Sequence, residues 1–199
     1  MEHITVNHYD TINSDIIEEI RNSLGPDAIN KSRSQPTHFM AIEWLLLTAV
    51  FLHYTKPYFE TLQKEAAKHH YEVLRKTTAK CWNRFFGKTP EYQFSRRDMK
   101  GEEIPSRFSF TFSIMADTDS RYQVKLLLDK ALSQTEIQDA SEAFLADMVA
   151  YHSNPGNGIV KQLEEKGIPA GGYFLVRYDV SSKTLKPVSA IPGSEDYPG

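Results

Sequence analysis

Between Arg107 and Ile114 apolar and polar side chains alternate, with Phe108, Phe110, Phe112 and Ile114 on one side and Ser109, Thr111 and Ser113 on the other. That is the period of a strand with one face inward. Residues 121–128 alternate likewise through Tyr122, Val124, Leu126 and Leu128, and Asp117-Thr118-Asp119-Ser120 between them is turn chemistry, so the pair reads as a hairpin. Ser133 and Glu136 form a capping box that opens a helix with Ile137, Ala140, Phe144, Met148 and Tyr151 on one face. Asn154-Pro155-Gly156-Asn157-Gly158 breaks it, and a short helix runs on to Lys166, with Gly167 as its cap. Residues 173–180 and 185–191 form a second hairpin around Ser181-Ser182-Lys183-Thr184, and Pro187 puts the last strand on an edge. Phe110 and Phe112 are both expected to face the helix of residues 133–151.

The first half reads differently. Residues 3–9 suit a short strand or arm. Residues 12–24 suit a helix capped by Asn13 or Ser14 and stopped by Gly25-Pro26, and residues 26–36 are a polar connection. From Thr37 to Phe86 Pro57 is the main helix breaker, and residues 44–54 are apolar on nearly every face. After Pro57 an apolar stripe through Phe59, Leu62, Ala66, Val73, Thr77 and Cys81 faces away from Glu60, Lys64, Lys68, Glu72, Lys76 and Lys80. A straight helix of about 50 residues would be about 75 Å long, against a diameter of roughly 40 Å for a compact chain of this size. The expected fold is therefore α+β: an N-terminal helical half with a long helix kinked at Pro57, then a small β-β-α-α-β-β module with helices on one face. The segments are 1–36 (short helix and linker), 37–88 (long helix), 89–106 (basic linker), 107–192 (α+β module) and 193–199 (flexible tail).

Composition adds bounds. Over 199 residues, 40% hydrophobic, 25% charged and 12% aromatic content describes an ordinary globular chain. Cys81 is the sole cysteine, which excludes an intramolecular disulfide and a cysteine-built zinc cage. Its opening residues, Met1-Glu2-His3-Ile4-Thr5-Val6, carry neither a basic nor an apolar signal region, so a cytoplasmic location is expected. The net charge of −3 hides a basic block, +6 over residues 75–100, between acidic flanks of −4 and −5. Arg75, Lys76, Lys80, Arg84, Arg96 and Arg97 make it a candidate anion surface, although the pI of about 6.2 disfavours nucleic acid.

Chemistry is sparse along the chain. Adjacent histidines on a helix point about 100° apart, so His69 and His70 cannot share one metal at helical geometry, and no metal or cofactor motif occurs. Asp117 and Asp119 form a paired-carboxylate candidate in a turn that also favours Asp for local hydrogen bonds. The leading expectation is a non-catalytic interaction or assembly protein. It would self-associate, or bind a protein partner, through Trp44, Leu45, Leu46, Leu47, Val50, Phe51 and Leu52 on the long helix. The alternatives are a small hydrolytic enzyme using His69, His70, Asp117 and Asp119, and a peripheral membrane effector using residues 39–59 with the basic block.

Overall fold

β-Branched and aromatic side chains suit a pleated surface buried on both sides, and residues 50–54 (Val-Phe-Leu-His-Tyr) form a central strand. The computed structural model describes residues 4–26, 28–34, 48–62, 67–86, 90–92, 96–97, 100, 102–104, 106–154, 158–166, 169 and 171–189. Its elements in chain order are β1 (Ile4–Tyr9), α1 (Ser14–Leu24), β2 (Ala28–Arg33), β3 (Val50–Tyr54), α2 (Lys56–Leu62), α3 (Ala67–Phe85), β4 (Arg96–Arg97), β5 (Glu103–Ile104), β6 (Phe112–Asp117), β7 (Gln123–Leu127), α4 (Gln134–Ser153), α5 (Gly158–Lys166), β8 (Tyr173–Asp179) and β9 (Thr184–Val188). Among the described residues seven strands make one mixed sheet in the order β2-β1-β3-β6-β7-β8-β9, and β4 pairs with β5 separately. The β1–β2, β3–β6 and β7–β8 contacts are parallel, and β1–β3, β6–β7 and β8–β9 are antiparallel.

Register decides what lies in the core. Val6, Leu52, Ile114, Leu126 and Val176 stand opposite one another across β1, β3, β6, β7 and β8, and each is 0% exposed. Burying an aliphatic side chain of this size contributes about 1.5–3 kcal/mol. Ile17 of α1, Phe85 of α3, Phe144 and Met148 of α4 and Val160 of α5 pack into the same cluster, so the helices share this face. The Phe85 ring stacks on Phe112 at 6.0 Å. On the opposite face Phe108, Leu127, Leu175 and Val188 cluster, with Phe110 and Tyr173 packed against them.

Local signals hold where they are strong. The Asn13 side chain accepts from the Asp15 amide at 2.8 Å and opens α1. The Ser133 capping box is formed at both ends, and the stripe Ile137, Ala140, Phe144, Met148 and Tyr151 is buried. Both expected hairpins are present, and Pro187 lies on the edge strand β9.

The expected long kinked helix and separate small module are not. β3 occupies residues 50–54, and among the described residues the longest helix, α4, has 20 residues and α3 has 19. An apolar run this short carries no period that separates a buried strand from a buried helix. Pro57 sits in the first turn of α2, where its missing N–H has no helical partner to lose, so it begins a helix rather than kinking one. The four-strand module is part of a seven-stranded sheet among the described residues, because β6 continues into β3, β1 and β2. The polar connection at 26–36 contains the edge strand β2, whose outer residues Lys31 and Ser32 are exposed. Phe110 also departs from expectation. The ladder of β6 begins at Phe112, and Phe110 packs on the face opposite α4. Among the described residues no helix is long and apolar enough to cross a membrane.

The two phenylalanines are therefore unequal. Phe112→Ala, at a site with 0% exposure, should cost about 3–5 kcal/mol in urea denaturation. Phe110→Ala, on the half-buried outer cluster, should cost clearly less. Equal costs would contradict the face assignment.

Candidate functional site

A parallel pair of strands ends at the same edge of a sheet, and the carboxyl ends of β3 and β6 lie together here. His53 is the last residue but one of β3, Asp117 ends β6, and Gln123 begins β7. His53, Met115 and Lys125 share one row of the register, and Asp117 and Gln123 share the next row on that face. Short hydroxyl residues shape the turn between them. The Ser120 amide donates to Thr118 Oγ1 at 3.1 Å, and Thr118 Oγ1 donates to the Tyr122 carbonyl at 2.7 Å.

His53 Nε2 lies 2.8 Å from Asp117 Oδ1, and Gln123 Nε2 donates to the same oxygen at 2.8 Å. A carboxylate only accepts, so this network assigns the proton to His53 Nε2 and leaves Nδ1 as the basic nitrogen of the neutral ring. Burial pushes the Asp117 carboxyl up, but the hydrogen bonds from His53 and Gln123 and the nearby imidazole outweigh it and hold the group below its ordinary value. Asp117 is thus ionised at neutral pH and holds the imidazole in one tautomer.

The other side of the turn is braced from the helices. His152, in the last turn of α4, donates from Nε2 to the Asp117 carbonyl at 3.0 Å, and its ring stacks on Phe59 of α2 at 4.7 Å. Burial lowers its pKa, offset in part by that hydrogen bond and by Asp119. Lys56 Nζ pairs with Asp119 Oδ1 at 2.5 Å. The Asp119 amide donates to Tyr151 Oη at 3.0 Å, and that hydroxyl donates to Glu164 Oε1 at 2.9 Å. Burial, chiefly, pushes the Tyr151 phenol up to about 12. Asp117, Gln123, Lys56, Arg121 and Tyr173 line an open cleft of about 460 Å³, and His53, 20% exposed, donates to Asp117 of its wall. Tyr151, Lys161 and Glu164 line a second cleft of about 380 Å³ beyond Ser120 and Tyr122.

Asp117 ends β6 and Asp119 lies in the turn after it, and the histidines that approach them are His53 and His152 rather than His69 and His70. His69 and His70 lie near the start of α3, and their side chains are outside the described residues. Among the described residues no three His, Cys, Asp or Glu side chains group as metal ligands would. Trp44, Leu45, Leu46 and Leu47 lie outside the described residues. Val50 and Leu52 are covered by the chain's own core, and Phe51, on the opposite face, carries the Arg33 guanidinium 4.7 Å from its ring. Within the basic block Arg75 reaches Gln138 and Glu142, Lys80 reaches Ser23 and Glu19, and Arg84 bridges Glu19 and Glu91. These pairs tie α3 to α1 and α4. Lys76 is exposed, and the side chains of Arg96 and Arg97 lie outside the described residues. Cys81 is fully buried, and burial raises its thiol. His53 was legible only through a strand reading of residues 50–54, in which period two sets Phe51 and His53 apart from Val50, Leu52 and Tyr54.

The depressed Asp117 carboxyl makes a pH prediction. Its contribution to stability is full above the ordinary value of 3.8 and is lost as pH falls below that toward the native value. The gap between urea midpoints of the wild type and Asp117→Asn should be constant at neutral pH and shrink in acid. A gap independent of pH would contradict the hydrogen-bonded carboxylate.

No protein-family model, curated protein or solved structure matches this chain, so the site is read from its own chemistry.

Proposed function

We propose that the protein is a small hydrolytic enzyme whose working site is the cleft beside the β6–β7 turn. One observation carries this reading: a histidine and an ionised aspartate from adjacent parallel strands meet at 2.8 Å beside an open polar cleft. His53 Nδ1 has no hydrogen-bond partner among the described residues and is the nitrogen that serves as general base in this reading. It takes a proton from water as the water oxygen bonds to the electrophilic atom of the substrate, and returns that proton to the leaving group. Asp117 stabilises the imidazolium that forms between those steps, a role that needs its ionised state. Arg121, which donates to the Tyr122 hydroxyl at 2.7 Å, and Lys56, paired with Asp119, are the cations on the cleft wall nearest to negative charge developing on the substrate.

Self-association through a long helix has lost its premise at residues 50–54. The chain covers Val50 and Leu52 with its own helices and strands.

Turnover tests the proposal. The wild type should hydrolyse at least one member of a chromogenic panel of carboxylic esters, glycosides and phosphate esters. His53→Gln should lose about 10²–10⁴-fold in kcat, and Asp117→Asn should follow it, both at unchanged secondary structure by circular dichroism. A wild type inert across the panel, or a His53→Gln variant at full rate, would contradict it.

A further inference from the structure

The two clefts are not independent: both are lined by Ser120 and Tyr122, so the turn is a low ridge between two adjoining basins of about 460 and 380 Å³. Each basin lies within the range of ligand-sized pockets, about 300–1,000 Å³. Their charges balance. Lys56, Arg121 and Lys161 face Asp117, Asp119 and Glu164, which gives the pair no net field to draw in an anion or a cation. Most of these charges are engaged already: Lys56 with Asp119 at 2.5 Å, Lys161 with Glu165 at 3.5 Å, and Asp117 with His53 at 2.8 Å.

Hydroxyls make up much of the remaining lining. Tyr122 and Tyr173 serve the larger basin with the Gln123 amide, while Thr118 there and Tyr151 in the smaller basin donate to the Tyr122 carbonyl and to Glu164 and offer a ligand only oxygen lone pairs. Hydroxyl and amide groups both donate and accept, so the complementary ligand must do the same at several points without net charge. Its length must carry it over the ridge at Ser120.

We infer that the paired basins bind an uncharged, hydroxyl-rich chain, an oligosaccharide lying across the Ser120–Tyr122 ridge. The inference rests on the cleft being the working site but not on hydrolysis occurring there.

Titration of the full chain, followed by calorimetry and amide shifts, tests it. The probes are neutral gluco-, chito- and xylo-oligosaccharides, their monosaccharides, inorganic phosphate and an uncharged peptide. At least one oligosaccharide should bind and shift amides on both sides of Ser120, and its monosaccharide should bind at least about tenfold more weakly, as expected for two linked subsites. Ser120→Trp, which raises the ridge, should weaken the oligosaccharide at least about tenfold and leave the monosaccharide unchanged. If Ser120→Trp does not fold, Glu164→Gln and Lys161→Ala in the smaller basin should weaken the oligosaccharide alone. Binding of phosphate or peptide with no saccharide binding would overturn the inference, as would oligosaccharide shifts confined to one basin or no binding at all. Binding of the oligosaccharide by the wild type without any turnover would sink the hydrolytic reading while leaving this one standing.

Discussion

Val50, Leu52 and Tyr54 have to be buried while the backbone of residues 50–54 is paired on both edges, and the pairing of β3 with β1 and, in parallel, with β6 accomplishes it. Val50, Leu52 and Tyr54 face the helices, each at 1% exposure or less, while Phe51 and His53 face the other way. Parallel strands cannot be joined by a tight turn. The chain between Tyr54 and Phe112 therefore makes a long crossover, and α2, α3 and the β4–β5 ribbon lie along it. Thr48 and Ala49 extend the contact before β3 begins: Ser113 Oγ donates to Thr48 Oγ1 at 3.1 Å, and the Ala49 amide donates to the Phe110 carbonyl at 2.9 Å.

That pairing also creates the site. His53 would be a lone polar side chain near the end of an apolar strand. Beside β6 it meets a carboxylate that fixes its tautomer, and Gln123 from β7 holds the same oxygen. α4 then supports the turn from behind through His152 and Tyr151, both in its last turn. Because His152 is stacked on Phe59, α2 is coupled to the same turn. The polar groups thus sit on rigid strand ends and are braced by helix side chains, which is how a site keeps its geometry without a ligand. Clefts outside the carboxyl ends of parallel strands are a recurrent ligand position in open sheets.

What could be read from the sequence was what is local. α1 and α4 announce themselves through Asn13, Ser133 and Glu136, whose caps act within three residues. The hairpins follow from alternation and turn residues. β3 escaped because Val50-Phe51-Leu52 is apolar at successive positions, and neither period two nor period 3.6 can be seen in it. β2 escaped because an edge strand need not be apolar: Lys31 and Ser32 turn to solvent. Asp117 and Asp119 were legible as turn residues. Their partners were not, because His53 lies 64 residues from Asp117 and meets it only through a non-local strand pairing. His152 reaches the turn only once α4 has docked.

Backbone NMR of residues 48–62 tests that pairing most directly. The account requires strand-type carbon shifts across Val50–Tyr54 and close contacts between backbone protons of Leu52 and Ile114. Helical shifts running unbroken through these residues, with sequential amide contacts and none to β6, would contradict it.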